Sequence, residues 1–529
     1  MTDAIPIPLL SNTGCKRDGT ILEGDWYVDT LWTGFNARGL PEKMGGYQQL
    51  TANISNICRG IHVYSRNGFT YVHMGSSANL ERLTIQNNTG AVSGITDRTP
   101  SGFATSANNI WQFDGMYDSA SAVTRLIAHA SPSLQDISDE TGAAIYSGDI
   151  TTTTALTPIT APSSGQPAGG ICVLHPYLTY YGASGVVGWS VANQPTDLTS
   201  AGSGAARVAE AKIVKGLPLR GGPDNGPSGL YWSLNELLRL SFVGGSSIFQ
   251  SDCLSSTTSV LSASAIIEDD GIYYWPGIDR FFMFNGVVRE LVNPFNHKFF
   301  YENLNYSYRS ACFATKVPAR GEIWFCFPYG SATECTHAVI FNKRFNCWYD
   351  TILPNGGRSA GMWAQVYRYP IMSGATTTAD KSRLWQHEMM QYDEIVGGTT
   401  NAVKAAFETG EKSFALPPGG GGGTPNNKAM SVVRIEPDFV QSGAMFCTVR
   451  GRPNCRAPDQ PSQPYQFQAT DATADIDAPT GASSGDQTVN PKDTRRLMRF
   501  RFESNTAGGY FSAGSPLAHI VPGDGRIIA

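Results

Sequence analysis

Charged side chains are scarce in this sequence. Only 16% of its 529 residues are Asp, Glu, Lys or Arg, against roughly 25% in typical soluble chains. Basic residues are not in excess either. The chain has 39 Lys and Arg and 44 Asp and Glu, which gives a net charge of −5. A protein that grips nucleic-acid phosphates needs such an excess, since that binding neutralises backbone charge. The composition therefore argues against a nucleic-acid-binding module.

Long apolar runs are also missing. No window approaches the ~18 consecutive apolar residues that a membrane-spanning helix needs. The first residues, MTDAIPIPLLSNTG, do not place a basic stretch before a long apolar core, as a secretion signal would. We therefore expect neither a membrane span nor a signal peptide.

Cysteine pairs at metal-ligand spacing are absent. The chain has 10 cysteines, but no two of them have the two-residue spacing of a zinc ribbon or a thioredoxin-like site. Several lie in strand-like runs, such as Cys172 in ICVL and Cys326 in IWFCF, where a free thiol behaves as a small buried hydrophobe. We predict reduced core thiols. The ten positions are Cys15, Cys58, Cys172, Cys253, Cys312, Cys326, Cys335, Cys347, Cys447 and Cys455.

Motifs that carry chemistry are missing too. There is no phosphate-binding G-x-x-x-x-G-K-[ST] loop and no G-x-S-x-G nucleophile elbow. His387-Glu388 is followed by Met-Met-Gln, so it does not complete an H-E-x-x-H zinc motif. The Ser-x-Asp-x-Gly-x-Thr-Trp box of sialidase propellers and the Trp-Asp signature of scaffold propellers are absent. We predict no catalytic, cofactor-binding or metal-binding residues, no cofactor and no enzymatic activity.

Two acidic pairs are the nearest approach to a paired-carboxylate site. Asp269-Asp270 precede Gly271 at the start of a strand, where Asp is a common turn residue, so we predict a turn there. Asp475 and Asp477 lie in a Thr/Ala/Asp-rich stretch, which favours a solvated loop over a metal site.

One dense basic patch occurs near the C-terminus, in RRLMRFRF. Its arginines alternate in part with apolar residues, as in a half-exposed strand. A phosphate or DNA contact is one interpretation. We favour a solvated strand face, or ion pairs with a neighbouring subunit. The patch consists of Arg495, Arg496, Arg499 and Arg501.

Short β-rich runs separated by tight turns are abundant. Residues 271–291, GIYYWPGIDRFFMFNGVVREL, predict three antiparallel strands. The first two are separated by Pro276-Gly277 and the last two by Asn285-Gly286, a strong hairpin signal. Helical signal is sparse, and LNELLRL at 234–240 is interpreted as strand or turn.

The same plan recurs seven times, with reference positions 42 to 56 residues apart and a mean spacing of 50. A period of about 40–50 residues, with one small antiparallel sheet per repeat, is typical of a β-propeller. Stacking such sheets around an axis buries both faces of each sheet, and closing the ring removes unpaired ends. We predict an all-β protein with six or seven blades, although consecutive sandwich domains would also show short strands and turns. The reference positions are Tyr71, Ile127, Leu178, Tyr231, Tyr273, Trp324 and Ile371.

The C-terminal part differs from the repeats. Five glycines at 419–423, preceded by two prolines, are typical of a linker. We predict an N-terminal arm (1–55) that packs on the C-terminal domain or supplies a strand closing the ring. The predicted propeller (56–410) is followed by a Gly-rich linker (411–425). The last predicted part is a small β-sandwich-like domain (426–529) with a long polar loop (456–493).

Three stretches carry a resemblance to a known family. They are GFNARGLPEKMGGYQQL (34–50), the blades of the GIYYWPGIDRFFMFNG kind, and the closing RRLMRFRFESNTAGGYFSAGSPLAHIVPGDGR (495–526). In order and form they resemble the tail hub or nozzle proteins of short-tailed bacteriophages (podoviruses), a group that includes the packaged-DNA-stabilisation proteins. The five-glycine stretch and the long polar loop depart from that pattern.

The resemblance implies a virion protein that is made in the host cytoplasm and built into the tail. Such proteins form rings, usually hexamers, below the portal and its adaptor, and they anchor a fibre, spike or needle. They continue the channel for double-stranded DNA without reading its sequence and help to retain the packaged DNA. A near-neutral or acidic wall suits that task.

A carbohydrate-binding or glycan-cleaving tail propeller, used in receptor binding, is the alternative. It predicts Trp or Tyr side chains and carboxylates clustered at one propeller face. Several tryptophans lie instead inside strand-like runs, where core packing explains them: Trp232, Trp275, Trp324 and Trp348. A cellular interaction propeller is a third possibility, which the low charge fraction disfavours.

Overall fold

The computed structural model describes residues 4–20, 22–220, 227–245, 247–375, 381–413, 429–467 and 489–523. Within these ranges the chain is all-β, as predicted, with a single α-helix, α1 (His297–Asn303). Three short 3-10 helices lie at Ala183–Gly185, Ala263–Ala265 and Tyr306–Ala311. No helix in the described ranges is long and apolar enough to cross a membrane.

Seven strands come first in the chain, before the repeats begin. The last of them, β7, is the longest of the seven. The strands are β1 (Ile5–Pro8), β2 (Asn12–Cys15), β3 (Trp26–Tyr27), β4 (Asp29–Leu31), β5 (Thr33–Phe35), β6 (Pro41–Lys43) and β7 (Gly46–Ser55).

Six four-stranded antiparallel sheets then follow one another, each built from four consecutive strands. We number them sheets 1 to 6. Sheet 1 contains β8 (Cys58–Arg66), β9 (Phe69–Ser76), β10 (Leu80–Gln86) and β11 (Thr96–Asp97). Sheet 2 contains β12 (Ile110–Asp118), β13 (Val123–Ser131), β14 (Ile145–Asp149) and β15 (Thr157–Pro158). Sheet 3 contains β16 (Gly170–Leu174), β17 (Tyr177–Tyr181), β18 (Val186–Trp189) and β19 (Gly204–Arg207).

The next three sheets repeat the plan. Sheet 4 contains β20 (Ile213–Pro218), β21 (Ser228–Ser233), β22 (Leu237–Phe242) and β23 (Phe249–Ser255). Sheet 5 contains β24 (Ile267–Asp269), β25 (Ile272–Pro276), β26 (Phe281–Phe284) and β27 (Val288–Glu290). Sheet 6 contains β28 (Phe313–Val317), β29 (Glu322–Phe327), β30 (His337–Asn342) and β31 (Cys347–Ile352).

Sheet 7 joins the two ends of this series. Its strands follow the order β32-β33-β34-β7-β35-β36. The N-terminal strand β7 thus takes the fourth place, antiparallel to β34 and parallel to β35. The new strands are β32 (Arg358–Met362), β33 (Ile371–Gly374), β34 (Lys381–Met389), β35 (Asp393–Val396) and β36 (Thr399–Ala402).

Ten further strands complete the chain. They are β37 (Ala405–Glu408), β38 (Met430–Glu436), β39 (Phe439–Ser442), β40 (Met445–Arg452), β41 (Gln460–Pro461), β42 (Tyr465–Phe467), β43 (Asp493–Arg495), β44 (Leu497–Ser504), β45 (Tyr510–Ala513) and β46 (Leu517–Pro522). They form three sheets together with N-terminal strands, in the orders β1-β46-β38-β43, β4-β37-β44-β40-β41 and β39-β45-β6-β5. We call these the terminal sheets. In the second of them β42 also pairs with β40, and β2 pairs with β3 as a separate ribbon.

The seven reference positions of the sequence repeat fall in register on this architecture. Each lies on the second strand of a different sheet, from Tyr71 on β9 to Ile371 on β33. The hairpins are set by local turn chemistry. Asp270-Gly271, for example, have φ of 51° and 79°, a left-handed pair that Asp and Gly tolerate. The segment 234–240 is a turn followed by β22, as predicted.

Successive sheets pack against each other through their first strands. β8 contacts β12, β12 contacts β16, β16 contacts β20, and β28 contacts both β24 and β32. Sheets 4 and 5 meet at Trp232, whose ring lies 5.8 Å from Tyr273 and 5.5 Å from Trp275. β32 in turn contacts β8, so the last sheet meets the first. This arrangement is propeller-like.

The N-terminal segment that carries strands of the terminal sheets contacts sheet 6 through a hydrogen bond, an ion pair and aromatic packing. Thr30 Oγ1 donates a hydrogen bond to the Asp350 carbonyl (2.7 Å), and Arg17 pairs with the Asp350 carboxylate at 2.8 Å. The ring of Trp32 lies 6.0 Å from that of Trp324 in one continuous core. The strand pairing also shows that the C-terminal strands do not make these sheets alone. The domain boundaries given above remain predictions.

Candidate functional site: the axial cavity

A large cavity lies where the first strands converge. It has a volume of about 520 Å³, and the first strands of six of the seven sheets (all except sheet 3) contribute to its wall. We call it the axial cavity. A second cavity of about 360 Å³ adjoins it and shares Arg220, Glu268, Lys316 and Trp363 with it. Because the site draws on residues from 59 to 366, only the ring order of the sheets brings it together.

The second cavity contains the first acidic pair. Asp269 ends β24, and Asp270 occupies the left-handed turn that follows, so the predicted turn is confirmed. Lys343 donates to both carboxylates, and Lys316 lies 3.2 Å from Asp269. The hydrogen bond from Lys343 is the main cause of the lowered pKa of Asp270. Both carboxylates are therefore paired with lysine ammonium groups.

Trp363 and Glu268 form the boundary between the two cavities. The Lys316 ammonium lies 5.4 Å from the centre of the Trp363 ring, and it donates to the Glu268 carbonyl at 2.7 Å. Arg220 lies 3.7 Å from the Glu268 carboxylate. Nothing in the sequence singled out Trp363, Lys316 or Arg220, because each lies far from the others along the chain and in no recognisable motif.

The wall of the axial cavity also contains Lys215 and Arg59. Arg59 pairs with Glu334 through both terminal nitrogens, one of them at 2.8 Å. The Lys215 ammonium instead has one long contact, 3.5 Å to Gln112 Oε1, an oxygen that already accepts from Tyr181 at 2.7 Å. Burial lowers the pKa of Lys215.

Asp114 is a carboxylate whose negative charge acts on Lys215. It accepts hydrogen bonds from the backbone N–H groups of Gly115 and Val173, both at 2.8 Å. Burial raises its pKa, and these bonds and Lys215 oppose the rise. Among the described residues, no carboxylate oxygen lies within 4.0 Å of the Lys215 ammonium nitrogen, the distance limit for an ion pair.

Two arginines of the basic patch on β44 form ion pairs within the chain. Arg499 pairs with Glu408 (3.2 Å), Glu411 (3.4 Å) and Asp459. Arg501 pairs with Asp29 and lies 3.7 Å from Glu408. The prediction of a solvated face or of contacts with another subunit is therefore wrong for these two arginines.

The physical reason is the strand pairing, which sequence spacing did not reveal. β44 lies between β37 and β40, so its charged face meets Glu408 at the end of β37. Burial is the main cause of the raised pKa of Glu411, to about 7, against the opposing effect of Arg452 and Arg499. Arg495 and Arg496 are half-buried. The alternation of the strand is as predicted.

A second buried charge cluster joins β6, sheet 6 and sheet 7. One guanidinium, Arg320, lies 2.9 Å from Glu322, 3.4 Å from Glu42 and 3.9 Å from Glu388. Tyr349 also donates to Glu322, at 2.6 Å. Burial is the main cause of the raised pKa of Glu388, which is about 7. The neighbouring carboxylates of Glu322 and Glu42 add to the rise, and Arg320 opposes it.

The remaining predicted positions give no metal site. The described part of the chain brings no three His, Cys, Asp or Glu side chains together in a way that could hold a metal ion. Eight cysteines are buried free thiols, as predicted, whereas Cys253 is exposed and Cys455 is partly exposed. Asp475 and Asp477 lie outside the described residues, as do the five glycines and much of the predicted polar loop.

Comparison with known proteins gives only distant structural likenesses. No protein-family model matches the chain, and no curated protein matches it. Among solved structures, U3-55K is similar over 65% of this chain and 98% of its own, at 7% identity and a TM-score of 0.38. An ancestral GH74 enzyme is similar over 69% of this chain and 51% of its own, at 9% identity and a TM-score of 0.41.

Proposed function

We propose that the chain is a seven-bladed β-propeller whose seventh blade is completed by the N-terminal strand β7. The pairing of β7 with β34 supports this count, because it gives sheet 7 a fourth strand like those of sheets 1 to 6. The contact of β32 with β8 supports ring closure. A ring fastened by its own N-terminal strand resists opening, since unpaired edges are removed.

We propose further that this rigid body is an architectural subunit of the tail hub of a short-tailed phage, without enzymatic activity, metal or cofactor. The observation that carries the proposal is the pairing of both ends of the chain in shared sheets that contact the propeller-like body. N-terminal strands pair with C-terminal strands in all three terminal sheets, and Arg17, Thr30 and Trp32 attach them to sheet 6.

The proposed setting is the virion tail, reached from the host cytoplasm during assembly. The chain would form a ring of copies, six in number, below the portal and adaptor, with a fibre, spike or needle attached. A ring closes when head-to-tail contacts between copies rotate by the right angle. The net charge of −5 suits a wall along which DNA moves without being held.

The test is assembly onto tailless particles. Purified full-length chain is mixed with portal-bearing particles that lack the tail, and the particles are recovered by sedimentation. We expect about six copies per portal and retention of the packaged DNA. Particles that acquire no chain, together with a monomer that cleaves glycans, would refute the proposal.

A glycan-binding propeller is the second candidate, and one observation favours it. Trp363 lies beside Glu268, Asp269 and Asp270 at the second cavity, which is the combination that the alternative predicts. An aromatic face and ordered carboxylates suit sugar recognition, although all three carboxylates are engaged by Lys or Arg. Binding to a panel of bacterial-surface oligosaccharides tests it. Trp363→Ala should abolish such binding and Tyr117→Ala, an exposed aromatic elsewhere, should not.

A further inference from the structure

The axial cavity has no role in the architecture just proposed. Its wall contains four cations, and three of them are engaged with carboxylates: Arg59 with Glu334, Lys316 with Asp269 and Arg220 with Glu268. Lys215 is the exception, since the 3.5 Å approach to Gln112 is its only polar side-chain contact among the described residues. A half-buried ammonium without a partner is unfavourable unless something supplies opposite charge.

Within the described residues, Asp114 supplies opposite charge that acts on Lys215, but the two groups form no direct ion pair. Asp114 directs its carboxylate oxygens to two backbone N–H groups, and Gln112 donates to the carbonyls of Gly169 (2.7 Å) and Val214 (3.2 Å). Both side chains are thus held in place by hydrogen bonds to the backbone. Rearranging either of them would leave buried backbone groups unpaired, which is unfavourable.

The rest of the axial cavity has a mixed apolar and polar wall and is large enough for a small organic molecule. Its volume of about 520 Å³ falls within the range of ligand sites, which are typically apolar with a few polar groups that fix orientation. The apolar part of the wall is formed by Ile61, Trp111, Phe113, Leu217, Phe313 and Met362.

We propose that the axial cavity binds a small organic anion with an apolar body, whose acidic group pairs with Lys215. A carboxylate, sulfonate or phosphate monoester has the required charge. An aromatic or aliphatic body matches the wall. Binding would give Lys215 the direct ion pair that it lacks among the described residues. This inference is independent of the tail-hub proposal. That proposal rests on the terminal sheets and on a ring of copies of the chain, and it does not use the cavity.

The test uses two fluorescent probes that differ in charge. 1-Anilinonaphthalene-8-sulfonate carries an aromatic body and a sulfonate, and N-phenyl-1-naphthylamine has the same body without the charge. With the full-length protein we expect saturable binding of one sulfonate probe per chain, at least ~10-fold tighter than the neutral probe.

Lys215→Met should remove this preference. The sulfonate probe should bind ~10-fold more weakly or worse, while the affinity for the neutral probe is unchanged or higher, which also shows that the cavity remains folded. Lys298→Met, on the exposed surface of α1, is the matched control and should behave like the unaltered chain. Equal affinity for the two probes, or a preference that survives in Lys215→Met, would overturn the proposal.

Discussion

Replacing Arg320 by Met would test how the terminal sheets are held on the propeller. Arg320 is the single cation among Glu42, Glu322 and Glu388, whose side chains are exposed by 23%, 0% and 14%. Methionine fills much of the same volume without the charge. The variant therefore isolates the electrostatic contribution from the loss of packing.

The expected loss is large because the carboxylates stay behind. Removing one partner of a buried ion pair costs about 3–5 kcal/mol, since the remaining charge is uncompensated. We expect a loss in this range at pH 8. Arg289→Met, at an exposed arginine of β27, should cost less than about 0.5 kcal/mol, as surface substitutions usually do.

The loss should depend on pH in a definite direction. The pKa of Glu388 is raised by burial to about 7 in the folded protein, from 4.5. The folded state therefore binds more protons than the unfolded state between these values, so stability is full below pH 4.5 and falls as pH rises toward 7. The shift corresponds to about 3 kcal/mol. At pH 5, where Glu388 is protonated, Arg320→Met should cost less than at pH 8.

Urea unfolding followed by tryptophan fluorescence at pH 5 and pH 8 measures both effects. Glu388→Gln should be more stable than the unaltered chain at pH 8 and should lose less stability over this interval. Part of the pH dependence should persist, because the pKa of Glu411 is also raised to about 7. If Arg320→Met costs under ~1 kcal/mol at pH 8, or costs more at pH 5, the electrostatic account of this junction is wrong.

Three further outcomes are expected. Gly75→Ala should destabilise the chain by about 1–3 kcal/mol in urea, as overpacking does, because its Cβ would lie 2.2 Å from the Trp111 ring; an unchanged midpoint would contradict the tight packing of sheets 1 and 2. Asp270→Ala should cost about 1 kcal/mol by the same assay, since φ is 51° there, whereas Asp270→Asn should be nearly neutral; equal effects would exclude a backbone origin. A thiol reagent should label Cys253 fast, Cys455 more slowly and the eight buried cysteines only after unfolding; rapid labelling of more than two thiols would contradict the described core.

The repeating sheets could be predicted because each of the first six is formed by strands that are consecutive in the sequence. Alternation of apolar residues and turn pairs such as Asp270-Gly271 act within about twenty residues, so the sequence contains them directly. The seven reference positions accordingly fall on the second strands of seven sheets. The place of β7 beside β34 was only one of two options, because a long-range strand pairing leaves no periodic signal in the chain.

The sites were harder to predict than the strands. Arg499 and Arg501 were recognised as a basic patch, but their carboxylate partners on β37 and near residue 459 are brought close by sheet order alone. Lys215 and Trp363 gave no signal at all, since a single Lys or Trp in a β-rich run is ordinary. A cavity formed by six strands from across the chain becomes visible only when the ring is assembled.

We propose that this chain is a rigid propeller that serves as an architectural ring subunit of a phage tail. Cryo-electron microscopy of portal-bearing particles after addition of the purified protein tests it most directly. We expect a ring of six copies below the portal, each with seven blades and β7 in the seventh. A particle map without this chain, obtained alongside a free monomer that degrades a surface glycan, would contradict the claim.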